Sequence, residues 1–446
     1  MENDREVRFL GDLVELQRGN TYHSELLGQP GPVLLGLASI QRNGGFRSDS
    51  RKTYGGESPT KLILRPGDLY VALKDVTQSA DLLGAIARVP NSISQGRLTQ
   101  DTVKLTFKSD IVPPTFIYWL LRTPQYRRYC KDHAIGTTNL SLSRDDFLAF
   151  PIWEPSSEQI SLIDCLENIE SKIELNRRMN ATLEETARAL FKSWFVDFDP
   201  VRAKMEGRQP DGLDAETAAL FPDRLVESEL GPIPEGWQIR TIEDLADRVA
   251  MGPFGSSIKV STFVDDGIPV ISGQHLHETL LTDSEFNFVT EAHATQLKRC
   301  NVQRGDVVFT HAGSIGQVAY IPETSRYERY VISQRQFYMR CDQEKISPLY
   351  IVLYFKTPEG QHRLLANTSS TGVPSISQPV TFLRQMKILT PPRNELDIFD
   401  STAKSIYQKV AQNTRESANL AALRDALLPK LLSGEILATK SDAFTF

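Results

Sequence analysis

Residues 156–199 read SSEQISLIDCLENIESKIELNRRMNATLEETARALFKSWFVDFD, and apolar side chains recur there at alternating steps of four and three. This 3.5-residue period keeps one apolar stripe facing a partner helix. Residues 393–436 carry the same period, with Asn413 at the level of Asn176. The chain therefore contains two copies of one long helix. The two stripes are Leu162, Leu166, Ile169, Ile173, Asn176, Asn180, Leu183, Ala187, Leu190 and Trp194, and Phe399, Ala403, Ile406, Val410, Asn413, Ser417, Leu420, Arg424, Leu427 and Leu431.

The repeat extends into the residues before each helix. Arg65-Pro66-Gly67-Asp68 matches Gln303-Arg304-Gly305-Asp306, and each turn leads into an apolar run. Short strands with Gly and Pro turns predict an α+β fold with two pseudo-repeated mixed α/β blocks, separated by two long antiparallel coiled-coil helices. The predicted bounds are blocks at 1–155 and 237–392, long helices at 156–199 and 393–436, a linker at 200–236 and a tail at 437–446.

An apolar stripe of this length must find a partner, and the nearest is the other copy. The order of block, helix, linker, block and helix allows the two helices to pair antiparallel within one chain, and Asn176 and Asn413 would favour one register at some cost in stability. The alternative is pairing with another subunit, as in a homodimer.

The composition is that of an ordinary globular protein, with 40% hydrophobic residues, 24% charged residues and a net charge of −6. The acidic surplus lies in the helices and the linker, so any basic patch on the blocks must be local. No signal peptide or membrane span is expected. The four cysteines lack any CxxC spacing, which favours reduced thiols and a cytoplasmic location.

Three segments add a family resemblance to the repeat. They are ALFKSWFVDFDP at 189–200, ELGPIPEGW at 229–237 and LRDALLPKLLSGEI at 423–436. Through them, and along essentially its whole length, the chain resembles the specificity subunits of type I restriction–modification systems.

The resemblance implies a restriction-system subunit that binds double-stranded DNA and has no catalysis of its own. Each block would be a target-recognition domain that reads one half of a split, asymmetric site. The long helices would set the spacing and dock two methyltransferase (modification) subunits, which use S-adenosylmethionine to methylate adenine. Separate motor and nuclease (restriction) subunits would cut DNA with ATP and Mg²⁺.

Missing motifs agree with a non-enzymatic chain. The sequence contains no Asn-Pro-Pro-aromatic methyltransferase signature, no GxxxxGK[ST] phosphate loop and no HExxH or His/Cys cluster for a metal. We therefore expect no cofactor in this chain.

Side chains that read bases donate and accept hydrogen bonds in fixed pairs. Two matching polar loops offer such groups, although these loops could instead satisfy their own backbone. Gln100 and Gln334, which occur in both blocks, are weaker candidates, because either could instead form a buried hydrogen bond to a neighbouring strand. The residues beside them differ between the blocks and better suit base choice, and Arg335 is the strongest candidate for a contact with guanine. The Gly/Ser-rich loop at 252–259 could cradle a phosphate through its amides, with a plain turn as the default reading. Lys74 and His311 could also face DNA, with ordinary surface positions as the alternative. The full set of DNA-binding candidates is Lys74, Thr99, Asp101, Thr137, Thr138, Asn139, Ser256, Ser257, Lys259, His311, Ser333, Arg335, Ser370, Thr371 and Ser375.

The aromatic run Phe191, Trp194, Phe195 and Phe198 exceeds what the seam of one helix needs. We interpret it as a docking patch for a methyltransferase subunit. The alternative is packing against the opposite helix, at Leu427, Leu428, Leu431 and Leu432, or against a neighbouring block. We expect both, since Trp194 lies on the seam whereas Phe195 and Phe198 do not. The residues predicted for subunit docking and the coiled coil are Ile169, Ile173, Asn176, Asn180, Leu183, Leu190, Trp194, Phe195, Phe198, Ile406, Val410, Asn413, Leu420, Leu427 and Leu431.

Two other functions compete with DNA recognition in a restriction system. A non-catalytic tandem scaffold could bind protein or glycan without any DNA role, and it would show no salt-dependent DNA affinity. A specificity-like protein could instead serve a methyltransferase without restriction.

Overall fold

The computed structural model describes residues 7–48, 52–255, 257–369 and 372–433. Ser256, Ser370 and Thr371 among the predicted site residues, the end of the second predicted helix (434–436) and the predicted tail (437–446) lie outside the described residues. The fold is α+β, as predicted. The chain divides into unit 1, residues 1–174 and 417–446, and unit 2, residues 175–416.

Unit 1 is built on two small sheets. The first has the strand order Val14–Arg18, Thr102–Phe107, Leu69–Ala72 and Ile86–Arg88, and the second has the order Val33–Leu35, Gly96–Leu98 and Ile63–Leu64. Two-stranded pairs join Arg8–Phe9 to Pro151–Ile152 and Lys74–Asp75 to Leu140–Ser141. Its shorter helices are Leu10–Leu13, Pro114–Leu120, Pro124–Asp132, Arg144–Leu148 and Lys430–Ser433, with 3-10 turns at Ser24–Leu26, Leu37–Ser39 and Thr60–Leu62.

Unit 2 repeats this plan with longer strands. One sheet has the order Ala246–Met251, Gln336–Cys341, Asp306–Thr310 and Val318–Tyr320, and the other has the order Asn287–Val289, Ile268–Ile271, Arg329–Ile332 and Asn301–Gln303. In both units the second sheet combines one parallel pair with antiparallel neighbours.

The remaining elements of unit 2 surround these sheets. Two-stranded pairs are Gln238–Thr241 with Lys387–Thr390, Leu225–Val226 with Ile233–Pro234, and Thr368–Ser369 with Ser375–Ile376. The helices are Asp199–Met205, Ala215–Leu220, Ile242–Leu245, Glu291–Gln296, Pro348–Lys356, Pro358–Leu365 and Pro379–Gln385, with 3-10 turns at Val260–Thr262, Gly273–His275 and Lys298–Cys300.

Two long helices, Ser157–Phe195 and Arg393–Leu427, follow the globular blocks. In unit 1, the Gln159 side-chain amide donates to the carbonyl of Leu431 at 2.5 Å, and Glu170 lies 3.8 Å from Arg424. The numbers rise along one helix as they fall along the other, so the two stretches run antiparallel.

The helix stretches of unit 2 also run antiparallel. The Asn413 amide donates to the Asn180 side-chain oxygen at 2.9 Å, and Asn180 in turn donates to the carbonyl of Val410 at 3.4 Å. Further along, the Phe195 and Phe399 rings meet edge to face at 4.9 Å. Polar contacts at the asparagine level fix the register, because a shift of one turn would leave buried amides without these partners.

The residues predicted for the coiled coil and for subunit docking are all buried or half-buried. Ile169, Asn176, Trp194, Phe195, Val410, Asn413 and Leu431 are buried, and Ile173, Asn180, Leu183, Leu190, Phe198, Ile406, Leu420 and Leu427 are half-buried.

The first long helix is bound to the block of unit 1 through two carboxylates. The indole N–H of Trp119 donates to Glu167 at 2.6 Å, and Arg122 donates to Glu170 at 3.0 Å. Arg122 is 6% exposed, so this ion pair is shielded from water and stronger than a surface pair. These bonds hold the helix at a defined angle to the block.

Candidate nucleic-acid interface

In each unit several strands end at the same edge of the sheets, and the predicted DNA-binding residues gather there. We call these regions edge 1, comprising Lys74, Asp101 and the hairpin tip 136–139, and edge 2, comprising Lys259, His311, Arg335 and residues 372–375. Because loops at a strand edge are free of the sheet's own hydrogen bonds, their side chains can face a ligand.

The backbone frames of the two edges match. In edge 1, the Leu73 amide donates to the Asp101 carbonyl at 3.3 Å, and Leu142 donates to Leu73 at 3.0 Å. In edge 2, His311 donates to Arg335 at 2.9 Å, and Ile376 donates to His311 at 2.8 Å. The frame therefore places Asp101 and Arg335 at equivalent positions, whereas His311 corresponds to Leu73 rather than to Lys74.

A glycine anchors each frame where a strand leaves the sheet. The amides of Gly19 and Gly252 donate to the carbonyls of Thr102 and Gln336, at 3.2 and 2.8 Å. A Cβ atom would lie 2.1 Å from a carbonyl oxygen at Gly19 and 2.0 Å from one at Gly252, so only glycine fits at either position. The loop that follows each glycine is consequently held against the turn that carries Asp101 or Arg335.

The hairpin tip of edge 1 presents free polar groups. Ile135 and Ser141 exchange backbone hydrogen bonds of 2.8 and 2.9 Å across its base. Thr137, Thr138 and Asn139 are exposed, and their side chains form no hydrogen bond with any residue that the structure describes. The alternative, in which these groups satisfy their own backbone, is therefore not what the structure shows.

The corresponding loop of edge 2 lies beside the same strand end. Gly313 donates to the Pro374 carbonyl at 3.0 Å, and Ser375 pairs with Ser369. Ser375 is half-buried, with exposed residues 372–374 immediately before it.

The two edges differ in charge. Lys74 forms an ion pair of 3.2 Å with Asp101, and their side chains are 49% and 24% exposed. In edge 2, Arg335 and Lys259 are both exposed, and neither forms an ion pair with the described part of the chain. An exposed pair contributes about 0–1 kcal/mol, so a phosphate could take Lys74 from Asp101 at little cost. The two edges therefore share one backbone arrangement but differ in the charged side chains that they expose.

Several predicted contacts are corrected by the structure. Thr99 is 4% exposed and packs under Gly36, so its hydroxyl does not reach the surface. The Ser333 hydroxyl donates to the buried side chain of Gln336, and the Ser257 hydroxyl donates to the Phe254 carbonyl at 2.9 Å. A ring nitrogen of His311 lies 3.0 Å from the Gln334 carbonyl. These four side chains hold the edges in shape.

Two further residues support the loops, and of these Arg97 was not predicted as functional. Arg97, buried at 2% exposure, donates to the Asn20 side chain at 2.6 Å and to the Thr21 carbonyl at 3.2 Å. Gln334 donates to the carbonyls of Gly255 and Ile258, both at 2.9 Å. Gln334 therefore has a structural role, whereas its counterpart Gln100 is exposed. An arginine within an otherwise apolar strand was the available signal for Arg97.

A cleft of about 540 Å³ opens beside edge 1, lined by residues that include Tyr22, Lys52, Gln100 and Asp101. Its position extends the exposed polar region of edge 1 into a concave surface.

The aromatic run on the first helix is buried within unit 2, which contradicts its interpretation as an exposed docking patch. Trp194 is 4% and Phe195 is 5% exposed, and half-buried Phe198 packs on Trp237 at 5.7 Å. Packing against a neighbouring block is confirmed, since the Phe195 ring lies 5.1 Å from that of Tyr350, whereas the predicted packing against Leu427 to Leu432 is wrong. Antiparallel pairing brings the end of the first helix to Phe399, at the start of the second, whereas Leu428 and Leu431 belong to the core of unit 1.

The described residues contain no group of three or more His, Cys, Asp and Glu that could hold a metal ion. Among the helices of the described ranges, none is long and apolar enough to cross a membrane.

A family model described as the type I restriction modification DNA specificity domain matches residues 234–415. The HindI specificity subunit of Haemophilus influenzae is 26% identical, over 95% of this chain and 98% of its own. The MjaIX specificity subunit of Methanocaldococcus jannaschii is also 26% identical, over 79% of this chain and 74% of its own.

A solved structure has the same fold. The S subunit of a type I restriction–modification system from M. genitalium superposes with a TM-score of 0.54 at 14% identity, covering 97% of both chains. The similarity therefore spans both blocks and both long helices.

Proposed function

The chain belongs to the specificity subunits of type I restriction–modification systems, and we propose that it recognises a bipartite, asymmetric DNA site with one target-recognition domain per half-site. Edge 1 would contact one half and edge 2 the other. The observation that supports this proposal is that the two edges have matching backbone hydrogen bonds but different side chains. Asp101 of edge 1 occupies the position that Arg335 occupies in edge 2. Two domains that share one backbone arrangement but present different hydrogen-bond donors and acceptors would select different bases.

In this proposal the two long helices set the spacing between the half-sites. Half-sites one helical turn apart lie about 34–36 Å from each other, and a helix rises 1.5 Å per residue. Helices of 39 and 35 residues are long enough for this spacing. The asparagine contacts near Asn176 and Asn413 fix the register, and hence the gap between half-sites.

The chemistry belongs to partner subunits in this account. Two methyltransferase subunits would dock along the helices and supply S-adenosylmethionine, and restriction subunits would supply the ATP- and Mg²⁺-dependent motor and nuclease. With the aromatic run buried, we assign docking to apolar side chains on the outer faces of the helices. Ile160 and Leu423 are 43% and 49% exposed in unit 1, and Leu175 is 42% exposed in unit 2.

DNA binding by the chain in complex with its methyltransferase subunits tests this proposal. We expect affinity for genomic fragments containing the target to exceed that for other fragments by about a thousandfold or more, and to fall steeply with salt. Equal affinity for all fragments, or no salt dependence, would instead support the scaffold that binds protein or glycan.

A further inference from the structure

The loop after Gly252 presents an aromatic ring to solvent. Phe254 is 78% exposed, and Gly255 follows it in the left-handed region with φ of +62°. A phenylalanine side chain is stabilised when it leaves water, and this ring forgoes that stabilisation in the free chain. A ring so placed can gain that energy from a ligand.

The loop is nevertheless tied down at both ends. The Gly252 amide bonds to the Gln336 carbonyl at 2.8 Å, and the Gln334 side chain binds the carbonyl of Gly255. Pro253 fixes the backbone just before the ring. Because hydrogen bonds hold the backbone on both sides of Phe254, at Gly252 and Gly255, little conformational entropy is lost when the ring binds.

The ring stands beside the charged part of edge 2. Gln334, which holds the loop, directly precedes Arg335, and Lys259 follows on the same loop. Both cations are exposed. Arginine and lysine next to a projecting aromatic ring are the combination that binds a nucleic-acid strand through its phosphates and bases together.

We propose that Phe254 stacks on a base of the half-site read by unit 2, entering the base stack as an apolar wedge. This inference rests on the proposed function, because it assumes that edge 2 faces DNA. Apolar side chains inserted at a base step unstack it and bend the duplex, which brings more of the protein into contact with DNA. Phe254 has no hydrogen-bonding group, so its contribution is independent of donor and acceptor patterns.

Unit 1 provides an internal comparison. Tyr22, three residues after Gly19, is 41% exposed and packs edge to face on Tyr54 at 6.3 Å. The Arg97 guanidinium lies 4.6 Å from the Tyr54 ring on the buried side. Tyr22 is therefore supported by its own domain and less free to enter a base stack, so the wedge belongs to edge 2.

The test uses the full chain in complex with its methyltransferase subunits, on a duplex that carries its methylation target. We expect Phe254→Ala to weaken specific binding about tenfold or more, as loss of one base–aromatic stack does. Phe254→Trp should retain affinity, and the slope of log affinity against log salt should not change, since no phosphate contact is lost. The matched control is Val260→Ala, which trims an 86% exposed apolar side chain nearby and should bind as wild type.

A second readout follows the base itself. With 2-aminopurine placed in turn at each adenine of that half-site, wild type should change the fluorescence at one position and Phe254→Ala should abolish the change. Binding by Phe254→Ala within twofold of wild type, or an equal loss in Val260→Ala, would overturn the wedge. Failure of wild type itself to prefer the target would contradict the proposed function instead, so the two outcomes are distinguishable.

Discussion

Replacing Arg335 by alanine removes the one arginine that edge 2 presents without an ion-pair partner among the described residues. A bidentate contact from arginine to guanine discriminates against the wrong base by about 1–3 kcal/mol. At 1.4 kcal/mol per factor of ten, we expect the affinity of the complex for its target to fall about 5- to 150-fold. Since the Arg335 side chain is exposed, folding stability should change by less than about 0.5 kcal/mol.

The assay is competition binding of the purified complex to a library in which each base pair of the target is varied. Loss of a base contact should relax selection at one position of one half-site and leave the other half-site unchanged. Arg326→Ala is the matched control, because it removes the same charge at the opposite end of the strand Arg329–Ile332. Uniform weakening across all sequences would show a phosphate contact, and affinity within twofold of wild type would refute the assignment altogether.

Three further substitutions probe the fold that positions the edges. Phe399→Ala should destabilise unit 2 by about 3–5 kcal/mol, because the fully buried ring leaves a cavity among Trp194 and Phe195; urea unfolding followed by tryptophan fluorescence measures it. Gly136→Ala should cost about 1–3 kcal/mol of unit 1 stability in the same assay, since φ is +110° and the new Cβ would lie 2.3 Å from a carbonyl oxygen. Burial, and secondly the nearby Glu278 carboxylate, raise the pKa of Glu184 in the folded state. The folded protein therefore binds this proton more tightly than the unfolded chain, so wild type should lose stability relative to Glu184→Gln as the pH rises above about 4.5; urea titrations at a series of pH values measure the difference.

Each of these three substitutions has a possible result that would contradict the expected effect. A Phe399→Ala variant no less stable than Leu175→Ala, which trims an exposed side chain in the same unit, would contradict the aromatic core. A fully stable Gly136→Ala would show that the hairpin tip does not need its left-handed glycine. A stability difference for Glu184→Gln that is constant from pH 4 to 7 would show that the carboxyl has the same pKa in both states.

The long helices and the α+β class could be predicted because they depend on local patterns. A heptad seam needs only the spacing of apolar residues, and short strands need only alternation and turn residues. The family could also be recognised, since the segments at 189–200 and 423–436 are contiguous in the sequence.

The details of the site depend on contacts between distant residues, which one sequence does not reveal. Thr99 is buried because Gly36 lies over it, and the aromatic run is buried because antiparallel pairing delivers Phe399 to Phe195. Likewise, Gln334 could be weighed as structural, but its bonds to a loop about 80 residues earlier follow only from the fold. Periodicity identifies which face of an element is apolar and does not identify what covers it.

The most direct measurement is a genome-wide map of methylated bases in cells that express the methyltransferase subunits, with this gene present and then deleted. We expect one split, asymmetric adenine-methylation motif that is present with the gene and disappears on its deletion, with each half of the motif recognised by one domain. An unchanged methylome, with the methyltransferase expressed and folded, would contradict target recognition by this chain.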